Sequence, residues 1–175
     1  MGKILFRIAR LRVMGTLIGF MFAYCPFLIP IKKLLVNASA VSFPHPSPSY
    51  KDHILIIPRK VARNMFALSA NDFVEIVSMA IKIREHDDRD YVLLINGGNR
   101  QDVMQAHFHL LTGNWITQNK LPGSRGQVLH HPDKDIWTSF VLGPHKLLSE
   151  YGVSGEAFSV VIQFEKNALP TFYVI

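Results

Sequence analysis

Residues 105–111 read Gln-Ala-His-Phe-His-Leu-Leu, and the polar positions fall every second residue. Side chains alternate between the two faces of an extended chain, so this spacing predicts Gln105, His107 and His109 on one face and Ala106, Phe108 and Leu110 on the other. Imidazole exchanges a proton near neutral pH, binds metals, and can attack an electrophile without first losing a proton. Two imidazoles and an amide on one face, backed by core, are a place for nucleophilic or proton-transfer chemistry. An exposed strand face that simply carries polar residues is the competing reading of these positions taken alone.

The neighbouring elements must hold that face in place. Tyr91-Val-Leu-Leu-Ile-Asn96 has the composition of a buried strand and ends in Gly97-Gly98, so a strand over 91–96, a short loop and a strand over 103–111 are expected. Ser69-Ala-Asn-Asp72 offers a helix N-cap, and Phe73, Ile76, Val77, Ala80, Ile81 and Ile83 follow at helical spacing to about residue 86. Asp87-Asp88-Arg89-Asp90 reads as a solvated turn. A Pro- and Ser-rich loop over 40–50 leads into a strand from His53 to Ile57, and residues 157–164 and 171–175 read as two further strands around a turn at 165–170. A loop rich in Gly, Asn and Pro is expected from Thr112 to about Asp135. These elements predict an α+β domain: a meandering antiparallel sheet with a central amphipathic helix, and no internal repeat.

Two separate strings carry a resemblance. The first runs from Asn96 through Gln101-Asp-Val-Met-Gln105-Ala-His107-Phe-His109-Leu-Leu111. The second is Phe43-Pro-His45-Pro-Ser-Pro-Ser-Tyr-Lys-Asp-His53-Ile-Leu55-Ile-Ile-Pro58-Arg-Lys60. In this order they resemble the core of the histidine triad (HIT) family of nucleotide hydrolases and transferases, over roughly residues 41–112. The resemblance implies that His107 is the nucleophile, attacking the α-phosphorus of a nucleotide to form a covalent nucleotidyl-imidazole. It places His109 and His53 as donors to the phosphoryl oxygens and Gln105 at the first triad position, where the family has histidine. Substrate would be bound around His45, Leu55, Asn96, Arg100, Gln101, Asp102 and Val103.

The sequence departs from the family at three of these places. Gln105 can donate and accept hydrogen bonds but cannot titrate. His45 stands where well-studied members carry an acidic residue for the ribose hydroxyls. Asp102 replaces a Ser or Thr beside the phosphate, with Arg100, where glycine is usual, able to offset its charge. These changes imply an altered phosphate substrate or a slow enzyme. A non-catalytic nucleotide- or phosphate-binding module is the reading from another class. A zinc site on His107, His109 and a distant histidine is the competing chemistry. The resemblance accounts for more residues, so neither metal nor cofactor is expected. His130 and His131 read as solvent-exposed, and Trp115 and Trp137 read as a ligand cover or as core.

The chain has 175 residues, 49% of them hydrophobic, which is enough for one well-cored domain. A formal net charge of +6 favours anionic partners, but Lys3, Arg7, Arg10, Arg12, Lys32 and Lys33 place part of the excess around the N-terminal apolar stretch. The single Cys25 excludes an intramolecular disulfide and a multi-cysteine zinc site. No basic stripe interleaved with aromatics appears in the domain, so nucleic acid is not an expected partner. A phosphate-containing small molecule and a second copy of the chain, as a homodimer, are.

Residues 1–39 form an apolar N-terminal segment ahead of a domain over 40–175 with a C-terminal extension. No charge falls between Val13 and Ile31, a length that could cross a hydrocarbon core, with basic residues on both sides. Pro26 and Pro30 interrupt it, so a helix is expected to stop near Tyr24, too short to span. No small-x-small cleavage pattern marks a signal peptide. Two readings stay open: a membrane-associated segment, or a helix packed on the domain or in a dimer interface. In either case the catalytic resemblance points to a domain in the cytoplasm.

Overall fold

The computed structural model describes residues 12–25, 31–46, 48, 50–85, 87–98, 100–113, 127–129, 157–164 and 171–174. His130, His131, Trp115, Trp137 and the expected turn at 165–170 lie outside them. In chain order the elements are helix α1 (Arg12–Tyr24), strands β1 (Leu35–Val36), β2 (Ala40–Pro44) and β3 (Ile54–Pro58), and a 3-10 turn (Met65–Ala67). Helix α2 (Ala70–Arg84) follows, then strands β4 (Tyr91–Gly98), β5 (Phe108–Thr112), β6 (Gln127–Leu129), β7 (Ala157–Phe164) and β8 (Thr171–Val174).

The strands form one sheet in the order β1-β2-β3-β5-β4-β7-β8-β6, and all its pairs are antiparallel. The α+β class stands. Within that antiparallel sheet β3 lies beside β5 rather than β4, because α2 carries the chain past β5's place before β4 turns back into it.

Helix α2 begins where its cap predicts. The Ser69 hydroxyl accepts from the Asp72 backbone N–H while the Asp72 carboxylate accepts from the Ser69 N–H, so two otherwise orphaned donors are satisfied. Its apolar stripe of Phe73, Ile76, Val77 and Ala80 is buried, joined by Met79, whereas Ile81 faces out. That stripe packs with Ile54, Ile56, Leu93, Ile95, Phe108 and Leu110, the residues that β3, β4 and β5 direct to one face of the sheet.

The opposite face carries Val41, Phe43, Leu55 and Ile57, and helix α1 covers them with Phe22, whose ring stacks on Phe43 at 5.5 Å. The helix ends at Tyr24, and no helix among the described residues is long and apolar enough to cross a membrane. Leu17, Phe20 and Tyr24 remain exposed on its outer side.

Two expectations need correction. The strand expected over 103–111 begins only at Phe108, since residues 101–107 run through bends, and Gln105 therefore does not share a strand face with the histidines. The stretch expected as loop from 112 to about 135 contains β6, whose Gln127–Leu129 pairs with Phe172–Val174 of β8. Three residues carry too little alternation to mark a strand. Only the partner makes it one.

Candidate active site

His45, His53, His107 and His109 come together on the sheet face that bears α1. The β2–β3 ladder ends at the pair Pro44 and Ile54, and one step beyond it the His45 N–H donates to the His53 carbonyl at 2.9 Å. The two imidazoles are thereby side by side, stacked with ring centroids 4.1 Å apart and nearly parallel. His109 reaches them from β5 because Leu55 pairs with His109, and His53 Nε2 and His109 Nδ1 share a hydrogen bond of 2.9 Å. His107, one residue before β5, sets its ring edge-on to His109 at 5.0 Å.

His107 Nδ1 lies 2.8 Å from the main-chain carbonyl oxygen of Gln105. A carbonyl can only accept, so Nδ1 carries the proton and Nε2 keeps its lone pair. The Gln105 side chain has another occupation. It is buried, its Oε1 accepting from the Ala62 N–H at 3.2 Å and its Nε2 donating to the Lys60 carbonyl at 3.0 Å, while the Ala106 N–H donates to the Ala62 carbonyl. A neutral imidazole offers one donor and one acceptor; the amide offers the same pair here without a titrating group. Gln105 thus serves the cluster through its main-chain oxygen and clamps the chain after β3 through its side chain.

His53, His107 and His109 are held toward the neutral form. Burial, together with neighbouring His45 and His107, pushes His53 down to about 4, and burial with His107, His53 and His45 pushes His109 down to about 2. Burial lowers His107 as well, against the Gln105 carbonyl and Asp102, which favour its charged form.

The remaining expected residues divide. Asn96 of β4 pairs with Ser159 of β7, whose hydroxyl donates to Asn96 Oδ1 at 2.7 Å and accepts from Arg100 at 3.3 Å. Gly98 takes a φ of 57°, which a side chain would resist, and starts the turn in which the Arg100 and Gln101 N–H groups donate to the Gly97 and Gly98 carbonyls. Gln101 Nε2 then donates to the Val103 carbonyl at 2.7 Å and to the Arg63 carbonyl, tying this loop to the chain beyond β3. Asp102 is exposed and acts on His107 through its charge. Leu55 is buried in the cluster under Phe22.

Residues 28–115 match the family model for the HIT domain, half of the chain. The chain belongs to the HIT family. A HIT-like protein of Helicobacter pylori is 31% identical over 91 residues, covering 49% of this chain and 88% of that protein. The adenosine 5'-monophosphoramidase hnt1 of Schizosaccharomyces pombe is 31% identical over 86 residues, 47% of this chain and 65% of its own length. Among solved structures, a HIT family hydrolase of Clostridium thermocellum superposes with a TM-score of 0.50 at 21% identity, over 61% of this chain and 96% of that one, a likeness of fold alone.

Two contributors to this HIT site escape a reading of the motif. Ser159 lies about fifty residues beyond it and joins Asn96 to Arg100; its signal was a hydroxyl in a strand whose other polar residue is Gln163. Gly19 of α1 meets Gln105: a Cβ built there would overlap Gln105 Oε1 and come within 2.9 Å of Cδ. Nothing in the local sequence pairs residues so far apart.

Proposed function

We propose that the protein is a nucleotide hydrolase or nucleotidyltransferase of HIT type, working through His107 on the α-phosphate of a nucleotide derivative. It would act as a homodimer in the cytoplasm. The observation that carries this reading is the hydrogen bond from His107 Nδ1 to the Gln105 carbonyl, which leaves Nε2 with a lone pair available to phosphorus. The phosphoramidase named among the relatives supports the choice of substrate class.

In the first step Nε2 attacks phosphorus and the bond to the leaving nitrogen or oxygen breaks. The leaving group keeps the electron pair and takes a proton from solvent. Water then attacks the nucleotidyl-imidazole, the phosphorus–Nε2 bond breaks with its pair returning to Nε2, and the water's proton goes to bulk. His53 and His109 share one hydrogen bond, so the ring that accepts it keeps its single N–H to donate to the oxygens on which charge accumulates. The Asn96–Ser159–Arg100 chain of hydrogen bonds would hold the polar side of the same pocket.

The test is neutral-pH intact mass spectrometry after mixing with adenosine 5'-phosphoramidate and with dinucleoside polyphosphates, beside turnover assays. A nucleotidyl adduct or product in wild type and in neither assay with His107→Ala is the expected result. Binding by both proteins without adduct or turnover would overturn catalysis and favour the binding module.

A further inference from the structure

His45, His53 and His109 offer one imidazole nitrogen each within 4.8 Å of one another. The ring pairs are close as well: 4.1 Å between the His45 and His53 centroids, 5.1 Å between His53 and His109, and 6.1 Å between His45 and His109. Two backbone features produce this cluster. His45 and His53 are neighbours one step past the end of the β2–β3 ladder, and β5 brings His109 diagonally across from His53.

His53 and His109 share a single hydrogen bond. His53, 8% exposed, leaves its Nδ1 buried with no hydrogen-bond partner among the described residues. A buried polar atom without a partner is costly, and this one lies on a ring within the histidine cluster.

We propose that His45, His53 and His109 form a three-histidine site for a zinc-class transition-metal ion. Zinc takes imidazole nitrogens at about 2.0–2.1 Å, which in a tetrahedron sets them roughly 3.3 Å apart. His53 Nε2 and His109 Nδ1 are already 2.9 Å apart, and His45 and His109, both partly exposed, are the members with room to turn toward an ion. Three nitrogens leave a fourth position for water or a phosphate oxygen, the arrangement of open zinc sites. Imidazole donors without a carboxylate select zinc, copper, nickel or cobalt over magnesium and calcium, which prefer oxygen.

This trio differs from the zinc arrangement that the motif alone raises, because His107 is not among the ligands and its Nδ1 is committed to Gln105. The ion would lie beside the His107 ring without consuming it. The site stands independently of the proposed reaction, since it is read with metal alone.

The experiment is Zn²⁺ titration of the full, metal-stripped chain against a chromophoric chelator, with Co²⁺ spectroscopy and zinc-edge X-ray absorption on the loaded wild type. One ion per chain with micromolar or tighter affinity, tetrahedral Co²⁺ bands and three imidazole nitrogens around zinc are expected. His45→Ala, checked for folding by circular dichroism, should weaken binding by more than about tenfold, the lower end of the losses seen even for groups that only support a ligand. The double variant His130→Ala/His131→Ala should bind as wild type does. No bound ion, sulfur or fewer than three imidazoles at the edge, unchanged affinity in His45→Ala, or loss of binding in the His130/His131 variant would each overturn the assignment. The absorption measurement uses wild type only, so a misfolded variant would not shelter the proposal.

Discussion

Replacing Gly19 by alanine tests whether α1 is seated on the site. In an isolated helix the change stabilises by about 1 kcal/mol, because alanine loses less backbone freedom than glycine. Here the added Cβ would overlap Gln105 Oε1 and lie 2.9 Å from Cδ and 3.6 Å from Cγ. Gln105 can yield only by leaving the Ala62 N–H and the Lys60 carbonyl, bonds of 3.2 and 3.0 Å. Each is worth about 1 kcal/mol, and a stranded buried N–H costs about 1–3 kcal/mol. The helix can yield only by lifting Phe22 from Val41, Phe43, Leu55 and Ile57, a burial worth about 1.5–3 kcal/mol for a phenylalanine. Either route costs about 2–3 kcal/mol against a gain of about 1 kcal/mol, so Gly19→Ala should destabilise by about 1–2 kcal/mol. Urea unfolding should move to a lower midpoint at unchanged slope. The sign should reverse in a Gln105→Ala background, where the obstructing atoms are gone and the helix preference of alanine prevails. A double-mutant cycle isolates that coupling from the cost of Gln105→Ala itself. A stabilising Gly19→Ala in the otherwise native chain, or equal effects in both backgrounds, would refute the seating of α1 on Gln105.

Two further outcomes follow from the surrounding hydrogen bonds. Asp87→Asn should destabilise by about 1–3 kcal/mol, since the largely buried Arg84 guanidinium donates to Asp87 at 2.9 Å and loses its charged partner. Hydrogen bonds from Arg89 and Arg84 outweigh burial and hold the Asp87 carboxyl well below the usual range. The stability this contributes is therefore present above the unfolded carboxyl value and lost in acid, so the gap between variant and wild type should shrink as pH falls below about 4 in urea unfolding followed across pH. Ser159→Ala removes the hydroxyl that joins Asn96 to Arg100 and should cost about 1 kcal/mol while lowering turnover of a phosphoramidate substrate; full activity would detach this chain of bonds from the site.

Much of the scaffold was legible because local patterns and burial agree. Helix α2 announces itself by the Ser69–Asp72 box and the stripe through Phe73, Ile76, Val77 and Ala80. Residues 157–164 read as a strand and are one. The motif around His107 and His109 led directly to the sheet face that holds both rings. Strand β5 was drawn too long at its start, since alternation persists through Gln105 even where the backbone bends. The side chain of Gln105 answers to Lys60 and Ala62, not to strand periodicity.

What the sequence determined by itself is the family and the helix-and-strand alphabet, both carried by short-range spacing. The tertiary structure alone decided that His45, His53 and His109 form one cluster, that Gln105 is a clamp, and that Phe22 and Gly19 of the N-terminal helix lie against the same sheet face. The physical reason is that periodicity records which way a side chain points within its own element. Which partner it meets depends on strand order and register, and β2, β3 and β5 become neighbours only when the sheet closes around a helix that buries its opposite face.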